Sequence, residues 1–277
     1  MIPAVELDYV RTLAREKAAI VIEAAKDYLI ESRLEPLAKR EGFASTHEFI
    51  RSMRENRGPG RLHDAAIDAL TTNETLFFRD HHPFDALRQT VLPELLAARA
   101  KYRKLRIWSA ACSTGQEPYS IAMLIADKFP DLALTGWDVR IVASDLSDTV
   151  LEQARAGVFS KFEINRGLPA PMLIRYFQQS GNTWVIRDGI RKTIEFRKLN
   201  LAEDWPILPR FDLIFLRNVM IYFDLKTKRQ ILSRVRRVLA PDGYLALGSS
   251  ETPLTITADL KSVPVGRTAF YQYGDER

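Results

Sequence analysis

From Lys104 onward the chain alternates short apolar runs with helical patterns, and this alternation limits the fold more than any other feature of its 277 residues. Leu105-Arg106-Ile107-Trp108 reads as a strand entering the small-residue loop Ser109-Ala110-Ala111-Cys112-Ser113-Thr114-Gly115. A helix then opens at Pro118, a residue favoured in a first helical turn, with Ile121, Leu124, Ile125 and Phe129 on its inward face. Residues 139–145 give a second strand, followed by a helix over about 147–156. Further strands fall at about 193–196 and at 211–216, with a helix over about 226–239. Asp242-Gly243 turns the chain into a fifth strand, 244–248, and residues 268–273 read as a closing antiparallel strand. Strands alternating with helices imply an α/β fold, a mostly parallel sheet covered on both faces.

Two regions depart from the alternation. Residues 1–70 read as all helix, with Ile20, Ala24 and Ala25, then Tyr28 and Leu29, recurring at helical spacing. Ser45 followed three residues later by Glu48 marks a helix start, and Arg57-Gly58-Pro59-Gly60 breaks the pattern before another helix runs to Leu70. Residues about 158–192 hold a short helix (171–177), then Ser180-Gly181-Asn182 and the alternating Trp184-Val185-Ile186, which together read as a small helix-and-hairpin insertion. The expected organisation is a helical domain over 1–70, a linker over 71–95, and a sheet domain over 96–277 interrupted at about 158–192.

Composition excludes several classes of function. The one cysteine, Cys112, makes no intramolecular disulfide, and His47, His63, His81 and His82 lack a metal-ligand spacing, so no metal is expected. The apolar run Ala18-Ala19-Ile20-Val21-Ile22 soon meets Glu23 and Lys26, too short for a membrane span, and no secretion signal opens the chain. A cytoplasmic protein is expected. The net charge of +5 gives a mild preference for acidic partners, well short of a dedicated DNA binder.

Ligands of open α/β sheets bind beyond the carboxyl ends of the strands, which directs attention to the loop 110–115. Small residues there let a ligand approach the backbone. Only Gly115 of the three spaced glycines in a dinucleotide fingerprint is present, so a pyrophosphate is disfavoured. Glu117 at the helix start could bind a ligand ammonium, and Asp145 at the second strand end could accept hydrogen bonds from two ribose hydroxyls. Each has a plainer reading, Glu117 as an acid favoured by the helix dipole and Asp145 as a cap for the next helix. Their pairing in one cleft favours a nucleoside ligand. Asn200 and Asn218 follow the third and fourth strands and suit an adenine edge, or serve as turn residues.

Three long motifs make the reading specific. Leu70-Thr71-Thr72-Asn73-Glu74-Thr75-Leu76-Phe77-Phe78-Arg79-Asp80, the segment Trp108-Ser109-Ala110-Ala111-Cys112-Ser113-Thr114-Gly115-Gln116-Glu117-Pro118-Tyr119-Ser120, and Phe215-Leu216-Arg217-Asn218-Val219-Met220-Ile221-Tyr222-Phe223 occur in that order. The chain thereby resembles the chemotaxis receptor glutamate methyltransferases, the CheR family, over essentially its whole length. The resemblance implies a Rossmann-like S-adenosylmethionine methyltransferase sheet behind a helical N-terminal domain that docks receptors. It implies cofactor contacts from Asn73, Thr75, Arg79, Glu117, Asp145, Asn200, Leu201, Arg217 and Asn218, and catalytic places beside the methyl group for Arg79 and Tyr222. The implied reaction methylates receptor glutamates in the cytoplasm, at receptor arrays, and leaves S-adenosylhomocysteine.

The implied partner is the cytoplasmic helical region of methyl-accepting receptors, with neither nucleic acid nor membrane insertion, and a monomer is expected. Arg51, Arg54 and Arg57 lie three apart and offer positive charge to a Glu-rich receptor helix, although a solvated charged face has the same pattern. In some family members the hairpin insertion grips a peptide at the receptor C-terminus. Here Gln178-Gln179-Ser180-Gly181-Asn182 looks shorter, which points to methylation without that tether. A nucleic-acid amino-methyltransferase is the enzymatic rival, but Asn218 is followed by Val219-Met220-Ile221 rather than the Pro-Pro-aromatic platform of that class. A non-catalytic cofactor-binding scaffold is the other, opposed by Arg79 and Tyr222.

Overall fold

The computed structural model describes residues 2–56, 60–253 and 255–274. The chain divides into a helical unit, 1–72 with 222–228, and a sheet unit, 73–221 with 229–277. The helical unit contains α1 (Ala4–Ala18), α2 (Asp27–Arg40), α3 (Thr46–Glu55) and α4 (Arg61–Leu70). In α2, Ile30, Leu34, Leu37 and Ala38 are buried, a single stripe at helical spacing. The Ser45 hydroxyl caps α3 by accepting from the Glu48 N–H at 3.1 Å, while the Glu48 carboxylate accepts from the Ala44 N–H at 3.0 Å. Arg57, Gly58 and Pro59, including one cation of the expected docking face and most of the expected break, lie outside the described residues.

The helical reading through Ile20 is corrected. Helix α1 closes at Ala18 because Ala19 takes a left-handed conformation, φ 54°, and the Ile20 N–H bonds back to the Ala14 carbonyl. The Val21 N–H donates to the carbonyl of Tyr222, a partner 201 positions away in sequence (222 − 21) that no local pattern announces. Only a single 3₁₀ turn, Ala24–Lys26, precedes α2, and Tyr28 is exposed.

The sheet unit opens with α5 (His82–Ala86) and α6 (Leu92–Arg99), then β1 (Lys104–Ala110), α7 (Gln116–Lys128), α8 (Asp131–Leu134), β2 (Asp138–Asp145) and α9 (Asp148–Ala156). An insertion follows, with β3 (Val158–Ser160), α10 (Lys161–Ile164), α11 (Ala170–Tyr176), β4 (Phe177–Ser180), β5 (Thr183–Ile186) and α12 (Asp188–Arg191). The main sheet resumes with β6 (Ile194–Lys198), β7 (Phe211–Leu216), α13 (Leu225–Val238), β8 (Leu239–Leu247), β9 (Leu260–Val265) and β10 (Thr268–Tyr273). The first four residues of α13 group with the helical unit.

The main sheet has the order β6-β2-β1-β7-β8-β10-β9, parallel from β6 to β8, with β10 antiparallel to both its neighbours. Every residue of β7 is buried, as expected of a central strand covered on both faces. The strand order reverses direction between β1 and β7. That reversal opens a crevice beyond their carboxyl ends, where ligands of such sheets bind. Strand β9 was not read from the sequence, since its Lys261, Ser262 and Pro264 are exposed; Pro264 fits an edge strand, where a missing N–H costs least. No helix among the described residues is long and apolar enough to cross a membrane.

The insertion forms its own antiparallel sheet, β3-β5-β4, with Ser180 paired to Thr183 across the two-residue turn Gly181-Asn182. Gly181 has φ 56°, the positive value that such short hairpins require at their first central residue. The insertion is anchored on the segment before α5. The Phe77 ring meets Phe159 and Phe177 edge-on, at centroid distances of 5.0 and 5.7 Å. Phe78 contacts Phe84, which lies over Phe215 of β7, so residues 73–80 join the sheet core. Gly167 is at φ 92°, and a Cβ there would overlap the Phe77 carbonyl oxygen. Gly167→Ala is therefore expected to cost roughly 3 kcal/mol or more in urea unfolding, from left-handed strain plus a backbone clash. A loss below 1 kcal/mol, on the same rough scale, would show that the contact relaxes.

Candidate cofactor site

The crevice between β1 and β7 is bounded by backbone held in uncommon conformations. Ala111 and Ser113 have φ of 55° and 51°, Gly115 95°, and Asn218, just past β7, 58°. Phe78, Asp80 and His81 add positive φ values of 50°, 69° and 48°. L-residues adopt such angles rarely, and they concentrate where surrounding structure enforces them, as at binding sites. In the loop after β1, the Cys112 N–H donates to the Ser144 carbonyl (2.9 Å), the Ser113 N–H to Asp145 (2.8 Å) and the Gly115 N–H to the Cys112 carbonyl (3.0 Å). These three amides are committed inside the protein. The glycine-lined amide cradle that a pyrophosphate needs is therefore not built here, in keeping with a nucleoside rather than a dinucleotide.

Asp145 ends β2 and is 7% exposed. Its two carboxylate oxygens accept from the Ser113 and Ser147 N–H groups at 2.8 and 3.1 Å, which fixes the carboxylate plane. The cap of α9 is Ser147, whose hydroxyl accepts from the Val150 N–H, so Asp145 is not the helix cap considered from sequence.

Glu117, in the first turn of α7, faces a charge network. Its carboxylate accepts from the Ser109 hydroxyl at 2.8 Å and pairs with the Arg217 guanidinium at 3.1 Å. Arg217 also donates to Asp80 (2.6 Å) and to the Arg79 carbonyl (3.2 Å), and its side chain is 1% exposed. The guanidinium thus ties the residue-79 segment to the start of α7. Burial pushes the Glu117 carboxyl above its ordinary pKa, and the Arg217 and Arg79 charges and the Ser109 hydroxyl pull it back only in part. The Arg217 Nε is buried with no hydrogen-bond partner. A half-buried acid beside an unpartnered buried donor suits a ligand carrying both an ammonium and a carboxylate, as the methionine end of S-adenosylmethionine does.

The remaining expected residues divide into two groups. The Asn73 carbonyl accepts from the Ser113 hydroxyl at 2.8 Å, placing the first motif against the β1 loop, with Thr75 half-buried in the same segment. Arg79 is half-buried and donates to the Glu74 carbonyl at 3.0 Å. Asn200 follows β6 and Leu201 beside it is buried; the Asn200 side chain accepts from the Ala202 N–H and donates to Glu203, each at 3.0 Å. That is the turn role considered from sequence. Tyr222 belongs to the helical unit and Arg79 to the sheet unit.

Glu251 was missed from the sequence. It is 8% exposed and accepts from the backbone N–H groups of Asn218, Met220 and Gly248, each at 2.7 Å. Gly248 lies so close that an added Cβ would meet Glu251 at 2.6 Å and the Asn218 side chain at 2.8 Å. One buried carboxylate therefore sets the left-handed turn at Asn218. The only signal in the sequence is a Gly248 and an acid three positions apart after a strand.

Comparison with known proteins gives the family of the chain. Residues 73–268 match the model of the CheR methyltransferase S-adenosylmethionine-binding domain, and residues 6–71 that of the CheR all-alpha domain. The chain belongs to the CheR methyltransferase family. It is 44% identical over 249 residues to chemotaxis protein methyltransferase 1 of Pseudomonas aeruginosa, covering 89% of both chains. It is 41% identical to chemotaxis protein methyltransferase Cher2 of Pseudomonas putida, covering 89% of this chain and 90% of that one. A chemotaxis protein methyltransferase of Vibrio parahaemolyticus is 39% identical over 92% of each. The α/β fold with a helical N-terminal part is that of the family, and S-adenosylmethionine is the cofactor of this CheR methyltransferase.

Proposed function

We propose that this methyltransferase transfers the methyl group of S-adenosylmethionine to glutamate side chains on the cytoplasmic helices of membrane chemoreceptors. The products are glutamate methyl esters and S-adenosylhomocysteine. The observation that carries the cofactor half is the crevice at the β1–β7 reversal, with buried Asp145 and half-buried Glu117 on either side of a loop whose amides are already committed. The acceptor half rests on the likeness to the chemotaxis relatives.

Asp145 would hold the ribose hydroxyls and Glu117 the ammonium, with the Arg217 charge favouring the ionised form of Glu117 against the opposing effect of burial. Asn73, Thr75, Asn200, Leu201 and Asn218 would complete the contacts. Bound S-adenosylmethionine supplies a methyl group already activated by its positive sulfur. An acceptor glutamate, with an ordinary pKa of about 4.3, is ionised near neutrality and needs no general base. Orientation therefore supplies much of the rate. Arg79 would hold the acceptor carboxylate through its guanidinium N–H groups without quenching it. Tyr222 is assigned to the methyl path through the Phe215–Phe223 motif that contains it, with its hydroxyl tested by Tyr222→Phe. The protein would act as a monomer recruited to receptor arrays.

The test is incubation with methyl-labelled S-adenosylmethionine and chemoreceptor-bearing membranes, followed by base. Volatile labelled methanol is expected, because base releases it from glutamyl esters. Base-stable label on added nucleic acid would favour the nucleic-acid reading, and bound cofactor with no transfer the scaffold. The two-residue turn at Gly181-Asn182 supports methylation without a C-terminal tether. A receptor C-terminal peptide should accordingly show no measurable binding in calorimetry, and tight binding would overturn that part of the proposal.

A further inference from the structure

We propose that Arg166, in the insertion, is a positioning residue for Arg79, acting through an ion pair with Glu74 that holds residues 73–80 in place. The inference rests on the reading of Arg79 as the holder of the acceptor carboxylate. Arg166 reaches the Glu74 carboxylate at 2.8 Å, and the carbonyl of that same Glu74 accepts from the Arg79 guanidinium at 3.0 Å. The Arg166 guanidinium also stacks over the Phe162 ring, 5.2 Å from its centroid, which restricts where it can point. One residue on, Gly167 sits directly against the Phe77 carbonyl. The insertion therefore grips the segment at two points, by charge at Glu74, the residue that anchors Arg79, and by backbone packing at Phe77, two residues before Arg79.

The geometry explains why a catalytic arginine can sit on a loop. Residues 74–76 have neither helix nor strand pairing, and residues 78, 80 and 81 are held at positive φ. Such a loop keeps its side chains in a productive arrangement only if neighbouring groups hold it. Arg217 holds the segment from the buried side, through the Arg79 carbonyl and Asp80. Arg166 holds it from the outer side, through Glu74. Arg166 also draws the Glu74 carboxyl below its ordinary pKa, so the pair stays ionised through the neutral range. Both partners are partly exposed, at 38% and 61%, so the pair should be screened by salt and cutting it should leave the core intact.

The experiment uses the full chain with methyl-labelled S-adenosylmethionine and chemoreceptor-bearing membranes. Arg166→Met is expected to lower kcat about fivefold, the range open to an exposed ion pair, with S-adenosylhomocysteine affinity falling by less than that, since Asn73 and Thr75 share the loosened segment with Arg79. Glu74→Gln should do the same, the double variant should be no worse than either, and Arg166→Lys should recover most of the activity. Additive losses, or an equal fall in S-adenosylhomocysteine affinity, would overturn the assignment. Amide hydrogen exchange separates this from failure of the functional reading. Faster exchange across residues 73–80 in Arg166→Met supports the tie even if wild-type protein transfers nothing to receptors, and unchanged exchange overturns it.

Discussion

Arg217→Met is expected to destabilise the protein by about 3–5 kcal/mol near neutral pH, with the loss shrinking on acidification. Arg217 is the direct ion-pair partner of Glu117, whose side chain is 13% exposed, and removing it leaves that carboxylate with only the Ser109 hydroxyl and the more distant Arg79 charge. The sign follows from the direction of the shift. Burial already raises the Glu117 pKa in the folded protein, so folding favours the protonated acid. Its stability contribution is fully present below the unfolded pKa of about 4.3 and is lost as pH rises through the raised folded value. Removing the compensating guanidinium enlarges the shift and steepens that loss. Urea unfolding of wild type and variant, near neutrality and at about pH 5, measures it directly. A gap that stays constant between the two conditions would mean that Glu117 is not the source, leaving the lost Asp80 and Arg79-carbonyl bonds to account for it. A Glu117→Gln, Arg217→Met double variant should recover part of the loss, because no buried charge then remains unpaired.

Asp145→Asn is expected to weaken S-adenosylhomocysteine binding by about a hundredfold, as losing charge-assisted hydrogen bonds to two ribose hydroxyls would do at roughly 1.5 kcal/mol each. The substitution keeps one acceptor oxygen for the loop, so the fold should persist. The other oxygen, which accepts from either Ser113 or Ser147, becomes a donor facing an N–H. Calorimetric titration with S-adenosylhomocysteine gives the loss, and the analogue lacking the ribose 2′-hydroxyl shows its origin. Wild type should bind that analogue poorly, while Asp145→Asn should discriminate little between the two ligands. Full discrimination retained in the variant would remove Asp145 from the ribose.

Much of the fold was legible because its signals are local. The alternation after Lys104, the Ser45–Glu48 start of α3 and the all-buried β7 follow from periodicity and capping. Strand β9 was hidden by its exposed edge residues. The end of α1 was hidden because the Val21 N–H donates to the Tyr222 carbonyl rather than to a carbonyl of its own helix.

The same division runs through the site. By itself the sequence determined an open α/β sheet, a one-glycine loop unsuited to pyrophosphate, and two acids, Glu117 and Asp145, at the ends of consecutive units. Those properties depend on residue type and short spacing. Only the tertiary structure decided that Arg217 pairs with Glu117, 100 positions earlier, that Glu251 holds the turn at Asn218, and that Arg166 reaches Glu74, 92 positions away. A periodic pattern tells which side chains must leave water, but not which buried donor will meet which buried acceptor. That pairing is set when strand order brings the ends of β1 and β7 together, where each charge taken out of water must find a partner or raise the cost of folding.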